Sequence, residues 1–342
     1  MYKVIEYEDI DKNIIDGPYC LIDVRSPSEY KLYTIPNSIN IPILDDQERK
    51  IVGTAYVQEG PEKAIRLGMK IVSKKLPDIY DKVVELNKEY KKLIFFCARG
   101  GFRSKPLVAL LSSLGISAIK LSGGYKKYRK YIIKVLPEIV KEIKFVVLYG
   151  NTGVGKTELL YFLKKEGMDV LDLEACANHR GSFFGSVGLG QQNSQKMFES
   201  LLYEALKNRK TNLVFIEGES KKIGKIFIPD YIFQAMEDGI HIRIDASLET
   251  RVNNIYKDYV KNNDWELILA LEKLRKHIGD RNIDEYEELI KQSKYKKVIE
   301  DLMVKYYDPL YGHKKKNYQA VFKNENPAKT AKEIIKWANS LK

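Results

Sequence analysis

Short apolar runs alternate with amphipathic stretches along the first part of the chain. Runs at 19–24, 93–96 and 118–121 predict strands, and 39–42 predicts a short extended piece. Stretches at 103–114 and after Gly123 predict helices, and residues 61–90 predict two helices that are broken at Pro77. Strands that alternate with helices in this way predict a parallel sheet.

A second series of apolar runs begins after Pro137. Runs at 145–149, 169–173, 212–216 and 240–244 predict strands, and from about residue 248 the pattern is helical and rich in Lys, Glu and Tyr. A chain of 342 residues is long for a single core. We therefore predict an α/β protein of two domains, 1–137 and 144–342, in which the second ends in a helical extension.

The composition indicates a folded protein without a membrane span. Apolar residues make up 44% and charged residues 30% of the chain, and no run of about 18 apolar residues occurs. The N-terminal residues lack the apolar core of a signal peptide, so we expect a cytoplasmic location. Three scattered cysteines are too few for a disulfide framework.

The net charge of +12 indicates which kind of binding partner to expect. The excess of Lys and Arg is spread over both halves of the chain and is not confined to a tail. This distribution suggests a polyanion large enough to touch both domains, with nucleic acid as the first candidate. A lysine-rich surface that is simply solvated explains the same number.

The eight residues after the strand at 145–149 fit the pattern G-x-x-x-x-G-K-[ST]. They are Gly150, Asn151, Thr152, Gly153, Val154, Gly155, Lys156 and Thr157. A strand before this loop and a helix after it are the context in which its amides bind phosphate. Thr157 suits Mg²⁺, and Glu217 lies where a carboxylate near the metal is expected, with Asp172 and Glu174 as alternatives. The pattern does not distinguish ATP or GTP from another diphosphate.

A polar segment follows the second strand of this domain. Within it, His179 can act as an acid or a base and Arg180 can bind phosphate, although a hydrogen-bonded loop histidine is an equal alternative. A basic and aromatic segment at 313–318 has the character of an RNA contact. The sequence assigns no residue as a dedicated metal ligand.

Cys97 lies where the apolar strand 93–96 ends and a glycine loop opens onto a helix. Loop amides and a helix N-terminus stabilise a thiolate, and Arg99 and Arg103 can hold an anionic substrate. Gly100 and Gly101 allow the loop to curl around that anion. The same arrangement serves a sulfur or selenium carrier and a cysteine phosphatase, in which the thiolate attacks phosphorus.

Other segments resemble the rhodanese domain, which would cover roughly residues 1–135. They are Asp23-Val24-Arg25-Ser26-Pro27-Ser28-Glu29-Tyr30, the segment 35–42, and Leu121-Ser122-Gly123-Gly124-Tyr125. The whole chain resembles tRNA 2-selenouridine synthase, a rhodanese domain fused to a P-loop domain. This resemblance also rests on 53–64, on 173–182, on Glu217-Gly218-Glu219-Ser220 and on 306–311.

The resemblance implies a reaction that the spacing of residues does not. Members of this family replace sulfur by selenium in wobble-position 2-thiouridine of tRNA, using selenophosphate, through a geranylated intermediate. The P-loop would then hold geranyl diphosphate. Cys97 would take selenium as a perselenide, with Arg99, Gly100, Gly101 and Arg103 holding selenophosphate. No permanently bound cofactor is expected.

Two other functions remain open at the level of sequence. One is a rhodanese-type sulfurtransferase or phosphatase coupled to an NTP-binding regulatory domain. The other is a P-loop RNA-binding module without catalysis. ATP turnover without tRNA would favour the former, and tRNA binding without turnover that depends on Cys97 would favour the latter.

Overall fold

Four consecutive apolar side chains, Leu93 to Phe96, form the centre of the first sheet and are fully buried. The computed structural model describes residues 2–14, 17–261, 263–311 and 317–341. These residues form two units, Met1–Leu136 and Pro137–Lys342. Most of the basic segment at 313–318 lies outside the described residues.

The first unit is a parallel sheet of five strands flanked by helices. The strands are β1 (Lys3–Ile5), β2 (Tyr19–Asp23), β3 (Ile39–Asn40), β4 (Lys92–Phe96) and β5 (Ala118–Leu121), in the order β1-β5-β4-β2-β3. The helices are α1 (Tyr7–Asp11), α2 (Pro27–Leu32), α3 (Asp46–Gln58), α4 (Pro61–Glu89), α5 (Ser104–Ser113) and α6 (Gly124–Lys141). The predicted parallel α/β fold is confirmed for this unit.

A buried ion pair fixes the loop that follows β2. Arg25 donates from Nε to both carboxylate oxygens of Asp23 at 3.0 Å, and both side chains are almost completely buried. The Arg25 guanidinium also donates to the carbonyl of Tyr33 at 2.6 Å. Asp23 and Arg25, which belong to the rhodanese-like pattern, therefore hold in place the backbone between β2 and Tyr33.

The break predicted at Pro77 is wrong, because α4 runs without interruption through that residue. Proline removes one backbone donor and normally costs about 3 kcal/mol inside a helix. Here the helix buries apolar side chains on both sides of Pro77, Ala64 before it and Ile79 and Val83 after it. Burial of this face outweighs the lost hydrogen bond.

The second unit is also built on a parallel sheet of five strands. Its strands are β6 (Lys144–Tyr149), β7 (Asp169–Leu171), β8 (Leu213–Glu217), β11 (Ile240–Asp245) and β12 (Ala320–Lys323), in the order β12-β11-β6-β8-β7. A short antiparallel hairpin is formed by β9 (Lys222–Ile223) and β10 (Ile226–Phe227). The central strand β6 buries Phe145, Val146, Val147 and Leu148 completely.

Eleven α-helices of the described residues accompany this sheet. They are α7 (Lys156–Lys165), α8 (Leu173–Ala177), α9 (Gln195–Lys207), α10 (Asp230–Glu237), α11 (Leu248–Tyr259), α12 (Asp264–Glu272), α13 (Arg275–Ile278), α14 (Asp280–Lys291), α15 (Tyr295–Leu302), α16 (Asp308–Tyr311) and α17 (Pro327–Asn339). A π-helical turn, Met303–Tyr307, joins α15 to α16. In the described part of the chain, no helix is long and apolar enough to cross a membrane.

The region after residue 248 is mostly helical, as predicted, but one strand interrupts it. Strand β12 pairs in parallel with β11, with Ala320 opposite Ile242 and Lys323 opposite Asp245. Helices α11 to α15 pack around a second apolar core that includes Leu271, Leu274 and Ile283. The helical region is therefore bound to the sheet both through α11 and through its own strand.

Candidate functional site

The thiol of Cys97 lies at the carboxyl end of β4, in the loop that leads into α5. Gly100 has a φ of +65°, and a Cβ there would lie 3.0 Å from the carbonyl oxygen of Leu121. A Cβ on Gly124 would lie 2.1 Å from the carbonyl oxygen of Cys97. The two glycines therefore let the thiol loop pack directly on the start of α6.

The surroundings of Cys97 favour its ionised form. Burial by itself raises the pKa of this thiol, but hydrogen bonds and charge overcome that effect and lower the pKa below its usual value. The hydroxyl of Ser104 donates to Sγ at 3.3 Å, and backbone N–H groups of Ser104 and Arg99 and the charge of Arg103 act in the same direction. Cys97 therefore has the properties of a nucleophile.

The other two cysteines provide an internal comparison. Cys20 and Cys176 are buried and free, as Cys97 is. Burial raises the pKa of Cys20 to about 11, and burial together with the nearby Asp172 raises that of Cys176. Among the three, only Cys97 has surroundings that stabilise a thiolate.

The two arginines of the thiol loop have different partners. Arg103 donates two hydrogen bonds to the carboxylate of Glu29, one of them at 3.2 Å. Arg99 is exposed, and no ion pair of its side chain is found within the described residues. Glu29 was not predicted as a site residue, although it belongs to the rhodanese-like segment 23–30. It orients Arg103 beside the loop that carries Cys97.

The predicted phosphate loop follows β6 and leads into α7, as its pattern requires. Gly153 and Gly155 both have a φ of +82°, which suits glycine. Gly150 lies so close to β11 that a Cβ would be 2.3 Å from the carbonyl oxygen of Ile244. The Lys156 ammonium donates to the carbonyl of Gly150 at 2.9 Å and folds back over the loop.

Side chains from distant parts of the chain bind the carbonyl groups of this loop. Arg251 donates to the carbonyl of Thr152 at 2.9 Å, and Asn254 donates to that of Gly153 at 2.9 Å. Asn324 donates to the carbonyl of Val154 at 2.7 Å. These hydrogen bonds restrict the shapes that the loop can take and so support the one observed.

Asp308 also supports the phosphate loop, through hydrogen bonds with Arg251 and Asn151. Its carboxylate accepts two hydrogen bonds from Arg251, at 2.6 and 3.0 Å, and one from the Asn151 amide at 3.0 Å. None of these supporting residues was predicted as a site residue. Asp308 does lie in the segment 306–311 that carries the family resemblance.

A cleft with about 1680 Å³ of empty space, including its open mouth, lies beside the phosphate loop. Lys156, Thr157, Asp172, Glu174 and Arg180 line it, so the structure brings these predicted residues together. Glu219, Asn254, Lys257, Asp258 and Tyr259 also line the cleft and were not predicted.

The carboxylates beside the loop form a buried cluster. Thr157 donates to Glu174 at 3.1 Å, and the backbone N–H of Glu174 donates to Glu217 at 2.8 Å. Burial, with Glu219 nearby, raises the pKa of Glu174 to about 8. Burial and the neighbouring acids likewise raise the pKa of Glu217 well above its usual range. At neutral pH the cluster therefore retains protons.

The side chains of His179 and Arg180 lie in different surroundings, although the two residues are consecutive. The His179 ring is buried against Gly185 and Gly224, and it is not among the residues that line the cleft. Burial and the charge of Arg180 lower the pKa of His179. The Arg180 guanidinium lies 4.8 Å from the centre of the Tyr259 ring and borders the cleft. Of the pair, Arg180 has the position of a ligand-binding residue.

Among the described residues, no three or more His, Cys, Asp or Glu side chains are arranged to hold a metal ion by themselves. An ion in this cleft would need oxygen atoms from a bound phosphate as well. Thr157 and Glu174, which are hydrogen-bonded to each other beside the phosphate loop, carry suitable oxygens.

Replacing Glu174 by Gln is expected to reduce the pH dependence of stability. Because the pKa of Glu174 is about 8 in the fold and 4.5 ordinarily, the folded protein binds the extra proton between these values. That stabilisation is fully present below pH 4.5 and is lost as the pH rises through 8. Urea unfolding between pH 4.5 and 8 measures it. An E166Q variant, altered at an exposed carboxylate, is the control, and an unchanged slope in E174Q would contradict the assignment.

Two known protein families match this chain, each over a different part of it. Residues 143–342 match the tRNA 2-selenouridine synthase AAA domain, and residues 6–131 match the rhodanese-like domain. The N-terminal domain of a putative ATP/GTP binding protein from Clostridium difficile 630 is 41% identical and covers 38% of this chain and 99% of that chain, with a TM-score of 0.36.

Two relatives are named tRNA 2-selenouridine synthase. The protein of Nitrosomonas europaea is 37% identical over 251 residues, and the match spans 72% of this chain and 64%, somewhat less than two thirds, of that relative. The protein of Pseudomonas syringae pv. syringae is 31% identical over 333 residues, 88% of this chain and 89% of the relative. The chain belongs to the tRNA 2-selenouridine synthase family.

Proposed function

We propose that this enzyme replaces sulfur by selenium in the wobble-position 2-thiouridine of tRNA, through a geranylated intermediate. The observation that carries the proposal is the thiol of Cys97, bound by Ser104 in a glycine loop suited to an anion, within a chain that also has a separate phosphate loop. The names of the relatives support the tRNA product. Selenophosphate and geranyl diphosphate are the proposed substrates.

The first reaction takes place at the phosphate loop. The loop amides and Lys156 bind the diphosphate, while the thiouridine sulfur attacks the first carbon of the geranyl group. The carbon–oxygen bond breaks with its electrons on the diphosphate, a sulfur–carbon bond forms, and the base loses its N3 proton. Binding of the negative charge that develops on the diphosphate makes it a better leaving group.

Mg²⁺ fits this step as a partner of the diphosphate. Thr157 and Glu174 supply a hydroxyl and a carboxylate next to the loop, and Mg²⁺ commonly takes one or two carboxylates together with substrate phosphates. When bound, the ion would neutralise charge on the leaving diphosphate. The protonated Glu174 would have to ionise for this role.

The second reaction uses Cys97, and its electron balance limits the mechanism. Formation of a perselenide from a thiolate and the selenide-level selenium of selenophosphate, with phosphate as the other product, requires the loss of two electrons. Neither proposed substrate can accept them. Attack of the thiolate on phosphorus balances instead. The sulfur–phosphorus bond forms, the phosphorus–selenium bond breaks with its electrons on selenium, and water later releases phosphate and the thiol.

The hydrogen selenide released in this way attacks C2 of the geranylated base. The C2–sulfur bond breaks, geranyl thiolate leaves and takes up a proton, and the proton of the selenide ends on N3. Arg99, Arg103 and the loop amides around Gly100 and Gly101 hold the phosphoryl oxygens during the attack on phosphorus.

The target nucleotide must leave its stack to reach either site. An anticodon base lies in a single-stranded loop, where proteins can contact individual bases. The net charge of +12 favours association with the tRNA backbone.

Mass analysis of tRNA nucleosides tests the whole proposal. Thiolated tRNA incubated with the enzyme, geranyl diphosphate and selenophosphate is expected to yield first S-geranyl-2-thiouridine and then 2-selenouridine. Omission of geranyl diphosphate should leave 2-thiouridine unchanged. ATP hydrolysis without any nucleoside change would instead support the sulfurtransferase or phosphatase with an NTP-binding regulatory domain.

A further inference from the structure

An apolar chamber lies among the C-terminal helices of the second unit. It has about 600 Å³ of empty space, including its mouth, and no charged side chain is among the residues that line it. The chamber is lined by Thr152, Ser182, Phe184, Ile255, Tyr259, Val260, Leu267, Leu271, Ile290, Tyr295, Val298, Ile299, Leu302, Met303 and Tyr307. Most of these side chains belong to the apolar core around α12, α14 and α15.

The chamber adjoins the phosphate cleft. Thr152, Ser182, Ile255 and Tyr259 line both spaces, and Thr152 belongs to the phosphate loop itself. Arg251, one turn of α11 before Ile255, donates to the carbonyl of Thr152 and fixes this junction. A ligand whose phosphates lie on the loop amides therefore has an apolar space within reach of its other end.

The lining decides which kind of ligand end fits there. A nucleoside base and ribose carry several polar groups, and burying them without hydrogen-bond partners is costly. A hydrocarbon chain carries none, and it gains free energy from each methylene that leaves water. We propose that the chamber is the subsite for the hydrocarbon tail of an allylic diphosphate held on the P-loop, and that its inner wall limits the length of that tail.

This assignment rests on the proposed function, because it takes geranyl diphosphate as the ligand of the P-loop. Val298 and Leu302 are among the residues that line the chamber. They are four residues apart on α15 and so lie on one face of that helix. Both are buried, with 4% and 6% of their surface exposed. Substitutions on this face of α15 can therefore make the chamber smaller or larger without changing any residue of the phosphate loop.

Titration calorimetry with geranyl diphosphate and with inorganic diphosphate tests the subsite. In V298F the larger ring narrows the chamber, and the affinity for geranyl diphosphate should fall about tenfold, as if about two methylene groups were no longer buried. The affinity for inorganic diphosphate should stay at the wild-type level. V304F is the matched control, since Val304 is 51% exposed and does not line the chamber, and it should bind both ligands as the wild type does.

A second variant keeps the test valid if V298F does not fold. L302A enlarges the chamber, so the ratio of affinities for farnesyl over geranyl diphosphate should rise, a gain that an unfolded protein does not give. Unchanged affinities in V298F, or an unchanged ratio in L302A, would overturn the subsite while the proposed function stands. If the wild type binds geranyl diphosphate no more tightly than inorganic diphosphate, the ligand assignment of the proposed function fails as well.

Discussion

Replacing Cys97 by serine is expected to abolish selenium incorporation while geranylation of the tRNA continues. The Cys97 thiol has a lowered pKa and is held by Ser104, whereas a serine hydroxyl at the same position stays protonated and is a weak nucleophile. Nucleoside mass analysis should therefore show S-geranyl-2-thiouridine accumulating without 2-selenouridine. Because serine is close to cysteine in size, the fold should be retained.

The control for this variant is C20S. Cys20 is a buried residue of the same sheet whose thiol has a raised pKa, so its loss should leave selenium incorporation intact in any protein that remains folded. If folded C97S lost geranylation too, the assignment of the two reactions to two sites would be wrong. Selenium incorporation by C97S at the wild-type rate would remove Cys97 from the mechanism.

Replacing Lys156 by alanine is expected to stop geranylation but to spare the insertion of selenium. The ammonium lies over the phosphate loop, where its hydrogen bonds to a diphosphate would be worth about 1.5–3 kcal/mol each, or roughly 10–100-fold in affinity. Supplied with tRNA that is already geranylated, K156A should still form 2-selenouridine. Paired assays with plain and geranylated tRNA measure both activities.

K165A serves as the comparison for this experiment, because Lys165 is exposed at the end of the same helix. It should retain both activities. Loss of selenium insertion from geranylated tRNA in K156A would mean that the P-loop takes part in both reactions. Tight binding of ATP by the wild type, with no binding of geranyl diphosphate, would favour the regulatory NTPase domain.

The parallel sheets could be predicted because each central strand is a continuous apolar run. The residues of both runs, Leu93 to Phe96 and Phe145 to Leu148, are completely buried, as expected for central strands. The continuous helix through Pro77 could not be predicted, because helix propensity depends only on the local sequence. The core on which this helix packs is formed by residues elsewhere in the chain. Strand β12 was missed for a similar reason, because its pairing with β11 joins segments that are far apart in the chain.

The candidate sites could likewise be predicted where they rest on a local sequence pattern, and not where they depend on contacts between distant segments. Cys97 and the P-loop belong to short patterns in which chemistry and backbone shape are set by neighbours in sequence. Glu29 meets Arg103 across 74 positions, and Asn324 meets Val154 across 170, so no local pattern announces either contact. The apolar chamber is likewise formed by side chains that look like ordinary core residues along the chain.

The support of the P-loop from Arg251, Asp308 and Asn324 has a consequence for synthesis of the protein. The loop itself leaves the ribosome long before these residues do, so a nascent chain carries the glycine pattern without the groups that shape it. Its affinity for diphosphate should appear only after residue 324 has emerged. Diphosphate binding is therefore expected only of chains that extend beyond residue 324, and a product truncated before that residue should not sequester substrate.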